Sequence, residues 1–181
     1  MMAMRYGDVF VLACALTVVR WALMGYGAWR DAKTRTFPNG LAAALVFVSA
    51  VEAFGHGGLT DLSIPDGMGG LQEGGFLVAT GLRTLATNLI AANIVFVVLY
   101  VFELIWRHFR KASGLGMGDL KFLFALMLVE PVNALAAFVL GLVALAVVGV
   151  ATKKSALPLL PFVVGAYFVL LLAGLFVTAG M

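Results

Sequence analysis

Two acidic residues occupy places where a carboxylate is expensive. Asp31 follows the first long apolar run, and Asp119 lies in Gly116-Met-Gly-Asp-Leu-Lys121, at the entrance to a later one. Ionisable groups at membrane depth are functional candidates by default. Two carboxyls brought together at a low-dielectric site cannot both ionise cheaply, so one pKa rises and the pair shares a proton. That state suits hydrolysis: one carboxylate activates water while its protonated partner polarises a carbonyl. Gly114, Gly116 and Gly118 leave a stretch of backbone without Cβ atoms, against which an extended segment could lie. Each acid alone also has a structural explanation. Asp119 would serve as a helix N-cap, and Asp31 as an interfacial charge balanced by Arg30 and Lys33. No serine, histidine or cysteine arrangement competes: Cys14 is deep in an apolar run, and Ser113 and Ser155 lack an evident base.

The elements that must position these acids follow from composition. The 181 residues are 63% hydrophobic and only 12% charged, with a mean hydropathy of +1.07. This describes an all-α, polytopic membrane helix bundle forming a single domain over residues 1–181, with little room for a soluble unit. A single cysteine excludes an intrachain disulfide and a cysteine-ligated zinc site, and His56 and His108 fall in different loops. No metal cluster or cofactor box is evident, and no cofactor is expected. The first apolar run lacks a clear cleavage site and is expected to be retained.

Six spans are expected, at about 9–29, 41–54, 76–106 (firmest from 84), 119–129, 133–151 and 162–179, with a Gly-rich loop over 55–75. The fourth is short. Even the 16 residues from Gly114 to Val129 reach only ~24 Å. Either its Gly116–Asp119 segment serves as membrane-embedded backbone, tolerated only where it is buried in protein or lines a wet cavity, or the bilayer thins locally; this suggests that Asp119 sits in a cavity. Nine of the 12 Lys and Arg residues, Lys121 among them, fall after spans 1, 3 and 5 or at the start of span 4. The net charge of +3 thus reads as membrane orientation rather than nucleic-acid binding, with both termini outside and the basic loops cytoplasmic. Two crossings separate Asp31 from Asp119, which puts both on the cytoplasmic face.

Three segments in order resemble the type IV prepilin peptidases. Asp31-Ala-Lys-Thr-Arg-Thr-Phe-Pro-Asn39 is similar to their first motif, Gly116-Met-Gly-Asp-Leu-Lys121 to their second, and Leu157-Pro-Leu-Leu-Pro-Phe162 to a third stretch. The resemblance extends over nearly the whole chain. It implies a Gly-x-Gly-Asp aspartic endopeptidase with Asp31 and Asp119 as the catalytic pair, in a prokaryotic inner membrane. Its partners would be the basic leader peptides of prepilin or pseudopilin precursors in type IV pilus and secretion systems. Larger members also N-methylate the new terminus and carry an N-terminal extension. Only 30 residues precede Asp31, so methylation is not expected. The compact size is similar to that of the small peptidases of Tad/Flp-type pilus systems.

Other residues have structural and functional readings side by side. Pro38-Asn39 forms a turn into span 2 that fixes the loop carrying Asp31. Pro158 and Pro161 either start the last helix or keep backbone groups free near the site. Lys121 snorkels to the interface or tunes Asp119. Glu103 pairs with Arg107 four residues on, or meets the positive leader. Asn88 and Asn93 are expected to bond between helices, and Arg20 to snorkel or face a cavity. Two other functions compete with the peptidase. A small proton-coupled transporter would use the same acids, but would favour them near the midplane. A non-enzymatic assembly subunit gives no reason for either acid.

Overall fold

The computed structural model describes residues 6–59, 71–110, 116–153 and 157–179, with side chains described over 11–55, 78–109, 116–153 and 157–176. Its six helices are α1 (Tyr6–Thr34), α2 (Asn39–Leu59), α3 (Leu71–Arg110), α4 (Met117–Met127), α5 (Pro131–Thr152) and α6 (Leu160–Ala179). Among the described residues there is no strand. Gly114, Ser113 and Ser155 lie outside the described residues.

Helices stand at all six expected places, but not with the expected lengths. Val11–Thr34, Val78–Phe109 and Pro131–Thr152 are long and apolar enough to cross a membrane; by that measure there are three spans among the described residues, where six were expected. The apolar parts described for α2 and α6, Asn39–Gly55 and Leu160–Phe176, are shorter. The 11 residues of α4 extend only ~16 Å, about half of the ~30 Å hydrocarbon core. Both ends of the expected 55–75 loop are helical instead, since α2 continues to Leu59 and α3 begins at Leu71; its middle, 60–70, lies outside the described residues. A glycine costs a helix only about 1 kcal/mol, so an established helix can run through several.

Sequential helices pack against one another, α6 returns to α1, and α4 also meets α2. The core is built around α4, whose Leu120, Phe122, Leu123, Ala125, Leu126 and Met127 are all buried. They cover most of the helix circumference, and the remaining side carries the less buried Met117, Lys121 and Phe124. α5 and α6 come close at Gly141, where a Cβ would lie 3.0 Å from the Cα of Val163. In contrast, Val97, Val98, Val101, Phe102 and Ile105 of α3 are exposed. A contiguous apolar face of this kind suits a hydrocarbon neighbour.

Arg20 does not snorkel; it is held inside the bundle in a buried ion pair. It is 3% exposed and Glu52 2%, and its Nε donates to Glu52 Oε2 at 2.7 Å. Its Nη1 also donates to the Tyr167 hydroxyl at 3.2 Å, and Thr17 Oγ1 donates to Glu52 Oε1 at 2.8 Å. This network joins α1, α2 and α6. Asn88 Nδ2 donates to the Leu128 carbonyl at 2.8 Å, closing the C-terminal end of α4 against α3. Asn93 instead donates to Leu89 in its own helix, at 2.8 Å, and so departs from the expected interhelical bond.

Removing one partner of a buried ion pair strands the other charge. Arg20→Leu should therefore lower stability by about 3–5 kcal/mol, whereas Arg20→Leu/Glu52→Leu should lose clearly less than Arg20→Leu alone. Denaturation of the detergent-solubilised protein measures both.

Candidate active site

Asp31 lies in the last turn of α1 and is buried. Its Oδ2 accepts the backbone N–H of Leu160 at 3.3 Å. That N–H opens α6, where the first turn has no intrahelical partners for its donors. Pro158 precedes it and Pro161 follows, so Pro161 offers no competing N–H. The donor at this helix N-terminus also carries a partial positive charge, which favours a carboxylate.

Asp119 is not the N-cap of α4. Gly116 holds that place, with φ −74° and ψ 143°, and Asp119 is three residues inside. Its Oδ2 accepts the Gly116 N–H at 3.1 Å, the return bond of a capping box. The carboxyl thus turns back toward the helix entrance. A Cβ on Gly116 would come within 3.0 Å of that Oδ2.

The two acids meet. Asp31, Arg35, Gly116, Asp119 and Pro158 line one cavity of about 220 Å³, closed by Leu142 and Leu145 of α5 and by Leu157 and Leu159. Burial pushes the Asp119 carboxyl up to about 6; the Gly116 N–H opposes that rise and the Asp31 charge adds to it. Asp119 is in the first turn of α4, outside the three segments long enough to span. A carboxyl whose pKa is raised toward 6 beside a second acid, in a recess walled partly by leucines, has the make-up of a general acid–base pair.

The chain after Asp31 is tied to the turn that carries Asp119. A Cβ on Gly118 would lie 2.7 Å from the Cβ of Phe37, and the Phe37 ring meets Phe122 edge-on at 5.8 Å. Lys121 Nζ donates to Asn39 Oδ1 at 2.6 Å, so Lys121 neither merely snorkels nor lines the acid cavity. The Pro38 carbonyl accepts the Ala42 N–H at 3.1 Å and begins α2. Asn39 and Lys121 stand at a second cavity, of about 440 Å³, bounded by Val46, Asn93, Phe96 and Phe124.

Compared with known proteins, the chain matches no family model, no curated protein and no solved structure.

Two expected site residues lie apart. Glu103 is buried in α3 and accepts a bond from Arg107 Nη2 at 3.2 Å; neither cavity is lined by it. Pro161 also lines neither. Two groups were missed as site components. The Leu160 N–H leaves no trace in a sequence, since every residue but proline supplies one. Arg35 reads in the sequence only as a basic residue of the loop after span 1 and of the first motif-like segment. Among the described residues, no group of three His, Cys, Asp or Glu is placed to hold a metal ion.

Gly118→Ala should cost about 1–3 kcal/mol through overpacking, and less in a Phe37→Gly background, because the two changes share one contact. Gly40→Ala, where a Cβ would meet nothing within 4 Å, should leave the melting midpoint unchanged or slightly higher.

Proposed function

We propose that this chain is a membrane aspartic endopeptidase that removes the short basic leader from type IV prepilin-like precursors at the cytoplasmic membrane face. The observation that carries the reading is the convergence of Asp31 and Asp119, 88 positions apart in sequence, on one cavity. The order of the three motif-like segments supports it, because each contributes to this end of the bundle: Asp31 and the Phe37–Asn39 turn, the Gly116–Lys121 turn, and the Leu157–Leu160 entry to α6.

In this mechanism, one carboxylate takes a proton from water as its oxygen attacks the scissile carbonyl carbon. The protonated partner gives its proton to the carbonyl oxygen. The resulting diol collapses, its proton returns through the pair, the amide nitrogen is protonated, and the C–N bond breaks. Gly116 is the place for an extended substrate backbone to approach. Gly118 is already filled by Phe37 and has a packing role instead.

The basic loops set the orientation: all six helices carry the chain across, both termini are outside, and the cavity opens to the cytoplasm. α4 makes its crossing only where the bilayer is thin or the path is covered by protein. Asp119 then stands at its mouth. The membrane is the inner membrane of a prokaryote, and the substrates are the leader peptides of pilin-like precursors. No methyl transfer is proposed.

Co-expression with a prepilin-like precursor from the same genome tests this, with N-terminal sequencing of the product. Wild type should remove the leader. Asp31→Ala and Asp119→Ala should each lower cleavage by about a thousandfold or more while the protein still inserts. Asp→Glu at either place should remain down by on the order of a hundredfold, since the extra methylene misplaces the carboxyl. Uncut precursors with wild type, or cleavage by the alanine variants, would overturn the proposal.

A further inference from the structure

Arg35 ends α1 in the left-handed region, with φ 53°, and its N–H bonds to the Asp31 carbonyl at 2.8 Å. A helix that stops this way usually has glycine at that place, because a Cβ is unfavourable there. Here an arginine accepts the strained backbone, and it lines the cavity that holds Asp31 and Asp119. Lys153 ends α5 with the same φ of 53° but does not line that cavity. The two ends therefore share a backbone and differ in what the side chain faces.

The surroundings of Asp31 can be taken element by element. From α1 comes Arg35, while Lys33 lies over the Trp29 ring at 5.0 Å. From α4 comes Asp119, and from α6 the Leu160 N–H. α5 contributes only Leu142 and Leu145. Of the described residues lining the cavity, Arg35 is the one cation, and its charge acts on Asp31. Asp119, by contrast, accepts the Gly116 N–H, and among the described residues no cation is found acting on it.

We infer that Arg35 is a positioning residue: it keeps the negative charge of the pair on Asp31 and so leaves the shared proton on Asp119. The inference rests on the peptidase reading and gives the two acids different tasks. Asp31 takes the proton from water, and Asp119 gives its own to the scissile carbonyl oxygen. The strained backbone at Arg35 has a place in this account, since function at a site can maintain a conformation that local preference disfavours.

The test reads the Asp31 carboxyl directly. In Asp119→Asn protein labelled with carbon-13 at the aspartate carboxyls, the Asp31 signal is followed against pH by NMR in micelles and identified by its loss in Asp31→Asn. Arg35→Gly and Arg35→Gln should raise its midpoint by about half to one pH unit, the size expected of an exposed cation near a carboxyl. Arg35→Lys should keep most of the wild-type position, and Lys153→Gly should leave it unmoved. With Asp119 restored, the acid limb of kcat/KM for precursor cleavage should move up in Arg35→Gly and Arg35→Gln and stay in Lys153→Gly. Arg35→Gln keeps the test open should Arg35→Gly fail to fold. An unmoved Asp31 midpoint in the Arg35 variants overturns the inference and leaves Arg35 a helix end only. A shifted midpoint in a protein that cuts no precursor upholds the charge placement and removes the peptidase reading instead.

Discussion

The shortness of α4 constrains everything around it. A helix of 11 residues, buried over most of its circumference, cannot reach both ends of the bundle, so other elements must finish what it begins. At its C-terminal end, Asn88 of α3 takes up the Leu128 carbonyl. At its N-terminal end, Phe37 lies on Gly118, Asn39 accepts from Lys121, and the start of α6 closes over Asp31. The first turn of α4 thus sits in a recess below the ends of its neighbours. A carboxyl in that turn is partly withdrawn from water and yet open to a cavity, which is the setting that raises its pKa.

The two ends of the bundle treat buried charge differently. Around Arg20 the opposite charges are matched: the guanidinium meets Glu52, Thr17 supplies Glu52 with a second bond, and Tyr167 joins from α6. A satisfied network of this kind rigidifies and specifies the packing of the helices that share it. About 16 Å further along α1, by its 11-residue separation, Asp31 faces another acid. Among the described residues, each carboxyl has one backbone N–H donor, and the one cation lining the cavity is Arg35 at its edge. The pair is therefore under-supplied with positive charge. The stable half of the bundle holds α1, α2 and α6 in place, and the under-supplied half leaves a proton to be exchanged.

Much of this was legible in the sequence, for identifiable reasons. Long apolar runs fixed the six helices, because a membrane-like interior permits almost no other use of the backbone. The two crossings expected between Asp31 and Asp119 put both acids at one end, and they do line one cavity. Span lengths were less legible: α2 and α3 continue through glycines that read as loop. Partners were least legible. Arg20 gave no sign of Glu52, 32 positions away, and Asp119 read equally well as an N-cap, a place that Gly116 holds. Long-range pairings depend on helix rotation, which a uniformly apolar sequence leaves almost unspecified.

The account depends on Asp31 and Asp119 acting on each other through one cavity, and a carboxyl titration of the whole protein reads this most directly. Carbon-13-labelled aspartate would be followed by NMR in wild type and in Asp31→Asn. In wild type, Asp119 should titrate near pH 6. Replacing Asp31 removes the negative charge that helps to raise it, so the Asp119 midpoint should fall. An Asp119 midpoint in the ordinary carboxylate range, near pH 4, and unchanged by Asp31→Asn, would show two separate acids and contradict the account.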